Sequence, residues 1–161
     1  MRALIQRVTR ASVTVDGNVC GKIDSGFLIL LGVCEGDTEL DADVLCDKVC
    51  KMRIFEDENG KMNKSLLDFQ NGENPYKILC VSQFTLCANY KHGNRPDFLS
   101  AAKPQRAKEL YEYFMQRARD NFGLAVECGI FGADMKVELI NDGPVTIMAD
   151  SRVLLNKDSE N

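Results

Sequence analysis

Two short segments place polar groups inside stretches that otherwise favour burial. The first is Ser82-Gln83-Phe84-Thr85-Leu86, in the apolar run from Lys77 to Cys87. Buried polar groups need hydrogen-bond partners, so each of these side chains needs a partner or a ligand. On a strand, Ser82 and Phe84 face one way and Gln83 and Thr85 the other. A pocket built here could use side chains from either face, and backbone N–H groups wherever the ladder ends. The plainer reading is that Ser and Thr merely satisfy a sheet. Thr85 carries a hydroxyl, but no motif ties a histidine or carboxylate to it, and an unactivated hydroxyl is a weak nucleophile.

The second segment is Asn141-Asp142-Gly143-Pro144. Its plain reading is a tight hairpin turn. Gly143 would also let a ligand approach the backbone closely, and an X–Pro bond is cis in about 5–6% of cases in folded proteins. A third segment, Gly129-Ile130-Phe131-Gly132-Ala133, sets an aromatic between two glycines: either a bend before a strand or a ring offered to a ligand. Lys91, Arg95, Lys103, Arg106 and Lys108 are the densest basic group, read first as a solvated face and second as a nucleic-acid contact.

Other chemistries find less support. The seven cysteines (Cys20, Cys34, Cys46, Cys50, Cys80, Cys87 and Cys128) are odd in number, form no CxxC and mostly sit in apolar runs, so the expectation is buried, reduced thiols. His92 is the only histidine. A zinc site would have to add it to Cys46 and Cys50 with no second pair, and a Cys–His nucleophile would have to use it from a polar loop. There is no Gly-rich phosphate loop. No metal and no cofactor is expected.

Strands and two helices must position these segments. Val13 and Val15 alternate with polar neighbours, Asp16-Gly17-Asn18 marks a turn, and Val19 to Ile23 returns. Phe27 to Cys34 is continuously apolar and predicts a strand covered on both faces. Asp37 or Thr38 can cap a helix whose apolar face would be Leu40, Val44, Leu45, Val49 and Met52. Lys77 to Cys87 predicts a second buried strand. A second helix should begin near Pro104 and stop at Gly123, burying Ala107, Leu110, Tyr111, Phe114, Ala118 and Phe122. Two further strands, one through Met135, Val137 and Leu139 and one from Val145 to Met148, would flank the Asn-Asp-Gly-Pro turn. Strands outnumber helices without alternating regularly, which gives an α+β fold with a mainly antiparallel, barrel-like sheet and flanking helices.

The chain has 161 residues, 45% hydrophobic and 27% charged. That suits one globular domain over residues 1–155, followed by a polar tail, 156–161, expected to be disordered. The net charge of −4 argues against coating nucleic acid with the whole surface but not against gripping one RNA end. No apolar run is long enough to span a bilayer, so no membrane partner is expected, and no signal peptide opens the sequence; the cytoplasm is the default location.

Taken together, the motifs resemble the D-aminoacyl-tRNA deacylase family. The resemblance runs from Met1-Arg2-Ala3-Leu4-Ile5-Gln6-Arg7-Val8 through Ala11-Ser12-Val13-Thr14-Val15, Arg53-Ile54-Phe55-Glu56-Asp57, Val81 to Leu86, Gly93-Asn94-Arg95-Pro96-Asp97-Phe98 and Phe131-Gly132-Ala133. It ends at Asn141-Asp142-Gly143-Pro144-Val145-Thr146. It implies a homodimer that hydrolyses the ester between a D-amino acid, or glycine, and the terminal ribose of tRNA. In the family the Gly-Pro peptide is cis and enters the partner subunit's active site. Gly143 and Pro144 would therefore present carbonyl oxygens to the substrate's amino group and exclude L side chains. Backbone N–H groups of Phe84 and Thr85, in the Ser82, Gln83, Phe84, Thr85, Leu86 signature, would hold the ester carbonyl. The RNA 2′-hydroxyl would assist a water. Arg7 would brace the Gly-Pro loop, and Phe131 and Ala102 would line the adenosine pocket. Two differences within the family bear on this. Asp142 stands where many relatives carry proline. A branch that removes L-alanine has Pro-Gln-Ala-Thr-Leu where this chain keeps Ser-Gln-Phe-Thr-Leu. The alternative is a non-catalytic DNA- or RNA-binding protein of the same fold linked to replication.

Overall fold

Asp16 and Gly17 turn the chain as their composition suggests. In the computed structural model, which describes residues 1–156, both take positive φ, 48° and 79°. β1 (Arg2–Val15) returns through this two-residue turn as antiparallel β2 (Asn18–Ile23), with Val15 opposite Asn18. β3 (Gly26–Gly32) pairs antiparallel with the first half of β1. β6 (Lys77–Ser82) then adds to β3 in parallel, and the short β7 (Val126–Cys128) adds to β6, also in parallel. β8 (Lys136–Asp150) runs antiparallel along nearly all of β1. β4 (Phe55–Glu56) and β5 (Met62–Lys64) form a separate small hairpin. The six-stranded sheet curls into a nearly closed barrel. The fold is α+β, antiparallel around β1 and parallel on both edges of β6.

The two-residue period of β3 divides the core. Phe27, Ile29 and Leu31 join Met1, Ala3 and Ile5 under the helices α1 (Glu39–Cys50) and α2 (Pro104–Phe122), against Leu45, Val49, Leu110 and Phe114. Leu28 points the other way, into a second cluster with Val8, Ala11, Val13, Ile23, Leu79 and Val81. Both faces of the strand are covered, as its continuous apolar run predicts. α2 begins at Pro104 and ends where Gly123 takes a left-handed φ of 66°. A short α3 (Ser151–Leu154) follows β8.

Four expectations require correction. α1 starts after Thr38, whose N–H and hydroxyl both donate to the Asp41 carboxylate (3.0 and 2.9 Å). Its buried face, however, is Ala42, Leu45, Cys46, Val49 and Cys50, while Leu40 is 55% exposed. Leu45 and Val49 of the expected face are buried, joined by the smaller Ala42, Cys46 and Cys50, and the Cys46 thiol reaches the Phe114 carbonyl of α2 (3.7 Å). The strand beginning at Lys77 stops at Ser82, and Phe84–Cys87 winds into a 3₁₀ turn, because β3 ends at Gly32 and offers no further ladder. The Asn-Asp-Gly-Pro segment lies within one strand rather than between two; β8 bulges there, with register shifts opposite Gln6 to Arg10. Finally, Cys34 and Cys87 are not reduced thiols but a disulfide across 53 residues of sequence. The 3₁₀ turn packs on the end of β3 and brings them together, which no local pattern announces. The other five cysteines are free. The expected disordered tail lies, from residue 157, outside the described residues; Asn156 itself closes a turn onto Val153.

Candidate functional site

The end of the parallel ladder generates the first part of the site. β3 and β6 stay in register to Leu31 and Ser82, and the Gln83 N–H still donates to Leu31 (2.8 Å). The chain then coils into the 3₁₀ turn Phe84–Cys87. The leading N–H groups of a helical turn have no acceptor inside it, and those of Phe84 and Thr85 meet none among the described residues. Gly32 lets the turn sit this close to β3: a Cβ there would stand 2.9 Å from the Gln83 carbonyl oxygen and 3.0 Å from Leu86 Cβ. Arg2 Nη1 donates to the Leu86 carbonyl (2.8 Å), and the Cys34–Cys87 disulfide fixes the far end.

This turn separates two depressions. Ser82, Gln83 and Phe84 open onto a mostly apolar cleft of about 490 Å³, closed by Ala101, Ala102, Pro104, Ala107, Tyr111 and the stretch Phe131–Met135. The Ala102 N–H is tied to Val33 (3.0 Å). Tyr111 lies beneath: its ring centroid is 5.8 Å from that of Phe131, and its hydroxyl donates to the Cys80 carbonyl (2.8 Å). Burial pushes the Tyr111 phenol well above its ordinary range and keeps it a donor. Thr85 and Leu86 line the other depression, a more polar groove of about 850 Å³ that also reaches Arg2, Cys34, Cys87, Tyr90 and Lys91. The Thr85 hydroxyl accepts from the Gln83 side-chain amide.

The second part of the site stands apart. Gly143 and Pro144 are exposed, joined by a cis peptide bond, and line neither depression. Arg7, only 4% exposed, lies under them. Its Nε donates to the Asp142 carbonyl (2.9 Å) and pairs with the Asp142 carboxylate (3.2 Å), and its Nη1 donates to Ile54 (2.8 Å). Asn141 spans the loop, accepting from the Val145 N–H (2.8 Å) and donating to the Val145 carbonyl and the Thr146 hydroxyl (3.1 and 3.0 Å). Gly143 has φ +135°, and a Cβ there would be 2.7 Å from Val145 Cγ2 and 3.1 Å from Arg7 Nη2.

Of the ten residues singled out in the sequence, five share the cleft: Ser82, Gln83, Phe84, Ala102 and Phe131. Two, Thr85 and Leu86, face the groove, and Arg7, Gly143 and Pro144 form the separate loop. Sequence reasoning missed Gly32, Tyr111 and Asn141 as positioning residues. Tyr111 left a trace as a hydroxyl in a helix stripe otherwise apolar, and Asn141 as the first residue of the Asn-Asp-Gly-Pro segment; Gly32 left none. In the basic group, Arg106 pairs with Glu39 and Glu109, and Lys108 with Glu112, so part of that surface is neutralised. Among the described residues no group of three or more His, Cys, Asp or Glu side chains is placed to hold a metal, and no helix is long and apolar enough to cross a membrane.

Several known proteins share this arrangement of sequence and fold. A D-aminoacyl-tRNA deacylase of Caldicellulosiruptor saccharolyticus is 54% identical, over 94% of this chain and 98% of its own. That of Thermus aquaticus is 52% identical over 94% and 95%. A solved structure of a protein named c-Myc DNA Unwinding Element Binding Protein superposes with a TM-score of 0.86 at 43% identity, covering 93% of this chain and 98% of that one. A second, described as a probable eukaryotic D-amino acid tRNA deacylase, shares the fold at a TM-score of 0.75 and 18% identity, over 92% and 98%. The model of the D-Tyr-tRNA(Tyr) deacylase family matches residues 4–150, and the chain belongs to that family.

Proposed function

We propose that the protein hydrolyses the ester joining a D-amino acid, or glycine, to the 3′-terminal adenosine of tRNA, and so removes mischarged residues before translation uses them. One observation carries this reading: the two unpartnered N–H groups of Phe84 and Thr85 open the turn that divides the apolar cleft, lined by Phe84, Phe131 and Tyr111, from the groove lined by Thr85. Adenine lies between Phe131 and Ala102, and the ester carbonyl faces the two N–H groups. Water adds to that carbonyl with help from the RNA 2′-hydroxyl. The two N–H groups hold the oxyanion, and the bond to the ribose oxygen breaks to release the amino acid and tRNA. Ser82, Gln83 and Leu86 keep the turn in shape, and Thr85 supplies its N–H rather than a nucleophile.

Gly143 and Pro144 lie outside this chain's own cleft, which fits their delivery by a second copy. In a homodimer they present carbonyl oxygens to the substrate's amino group and leave no room for an L side chain, with Arg7 and Asn141 holding the loop rigid. Residues 1–155 act as one catalytic domain, in the cytoplasm where charged tRNA is used. Purified protein incubated with D-Tyr-tRNA and L-Tyr-tRNA should release only D-tyrosine and elute as a dimer. Equal hydrolysis of both would remove the chirality reading. The solved relative at 43% identity is named for binding a DNA unwinding element, which favours one second reading, binding of DNA. No hydrolysis of either ester, together with salt-sensitive duplex binding, would select it.

A further inference from the structure

Beyond Thr85 and Leu86, the groove on that side of the turn reaches the Cys34–Cys87 disulfide, which the proposed hydrolysis does not use. We propose that Cys34–Cys87 is a thiol–disulfide exchange site for an acidic low-molecular-weight thiol such as glutathione, and that its state sets how firmly the substrate turn is held. The coupling to activity rests on the deacylase reading; the exchange site itself does not.

Placement supports both halves. Cys34 belongs to rigid structure: it bridges Ala101 in the wall of the cleft, and its N–H donates to the Asp37 carboxylate (2.6 Å). Cys87 ends the four-residue turn that carries the Phe84 and Thr85 N–H groups. Reduction would leave that turn held mainly by the Gln83–Leu31 and Arg2–Leu86 hydrogen bonds. Both cysteines are nearly buried, at 4% and 1% exposed, but both line the groove, which gives a reagent its path. The charged lining there is Arg2, Lys91 and Arg152 against the single carboxylate Asp150, which Arg2 already pairs. A groove of that charge draws in an anionic thiol ahead of a neutral one.

The chemistry balances with the thiol alone. A thiolate attacks one sulfur, the Cys34–Cys87 bond breaks, and the displaced sulfur leaves as a thiolate that takes up a proton. A second thiol then attacks the mixed disulfide. Two protein thiols and one small-molecule disulfide result, with two electrons passed to the protein. Oxidised glutathione runs the sequence in reverse.

The full chain is equilibrated in glutathione buffers from reduced to oxidised, quenched with acid, denatured, alkylated and counted by mass spectrometry. The expected count is seven thiols at the reducing end and five at the oxidising end, with a Cys34–Cys87 cross-linked peptide and Cys20 and Cys128 reactive throughout. Reduction by glutathione should outpace reduction by 2-mercaptoethanol, and salt should narrow the gap. D-Tyr-tRNA hydrolysis by the reduced form should fall about tenfold, less than the hundredfold or more that outright loss of an oxyanion donor costs. The Cys34→Ser/Cys87→Ser variant should show that lower rate in every buffer. If it fails to fold, wild type at the two ends of the series still decides. Seven thiols at every ratio, five at every ratio, or no preference for the acidic thiol would overturn the exchange site. Equal hydrolysis by both forms would overturn the coupling. Absence of hydrolysis in both forms would count against the deacylase reading instead, while the thiol count still decides the site.

Discussion

The Phe84–Cys87 turn and the Gly-Pro loop are both notable for backbone rather than side chains, but they are held in opposite ways. Phe84–Cys87 is pressed into a concavity: β3 is behind it, a disulfide closes its end, and Gly32 makes room for it. Asn141–Thr146 bulges from the β1 ladder with 142–144 exposed, lines neither depression, and is braced by one buried guanidinium and one amide side chain. A recessed backbone can bind what enters it. An exposed backbone that is equally braced is shaped to enter something else. The contrast is what supports assigning the two segments to opposite sides of a dimeric site.

Substitutions should separate the two. The largest effect is expected from Gly143→Ala, whose methyl meets Val145 and Arg7 at a φ of +135°. D-Tyr-tRNA hydrolysis should fall by about a hundredfold, as misplacement by an ångström can cost, with the melting temperature little changed; unchanged turnover would sink the assignment of the loop. Arg7→Ala comes next. It leaves the exposed Asp142 carbonyl to water and the buried Ile54 carbonyl without its donor, and at about 1–3 kcal/mol for one unsatisfied buried group both stability and turnover should drop, the latter by about tenfold. A stable variant with full activity would show that the loop needs no brace. Tyr111→Phe removes one buried hydrogen bond, worth about 1 kcal/mol. If Tyr111 positions the Phe131 wall, KM should rise about fivefold with kcat held, and a change confined to kcat would refute that role. The smallest effect should come from Thr85→Ala: activity stays within about threefold of wild type, because the N–H survives and an unactivated hydroxyl adds little. Complete loss of turnover with intact substrate binding would make Thr85 a nucleophile after all.

What the sequence revealed followed from how local each signal is. The Asp16–Gly17 hairpin, the doubly covered β3 and α2 from Pro104 to Gly123 were legible because a turn pair, an unbroken apolar run and a helix with both punctuation marks each determine their own element. β6 was overextended because Phe84 and Leu86 continue its hydrophobicity, whereas its length is set by β3, about fifty residues earlier. The face of α1 was read in part: Leu45 and Val49 are buried as expected, but alanine and cysteine weigh little in an apolar pattern, so Ala42, Cys46 and Cys50 were missed and the exposed Leu40 was included. The Cys34–Cys87 pairing and the fit of Gly32 under the Phe84–Cys87 turn are consequences of the fold. Ser82, Thr85, Gly143 and Pro144 stood out where glycine, proline or hydroxyls interrupted apolar surroundings; Arg7 and Ala102 came only from the family resemblance, and Asn141 was seen as part of its segment but not as the residue that spans the loop.

β8 lies on β1, with Thr146 opposite Gln6 and Asn141 opposite Val8. The last strand thus docks on the first. Val137 in the wall of the cleft and the Gly143–Pro144 loop therefore ride on one strand, so a slip of β8 along β1 would displace both at once.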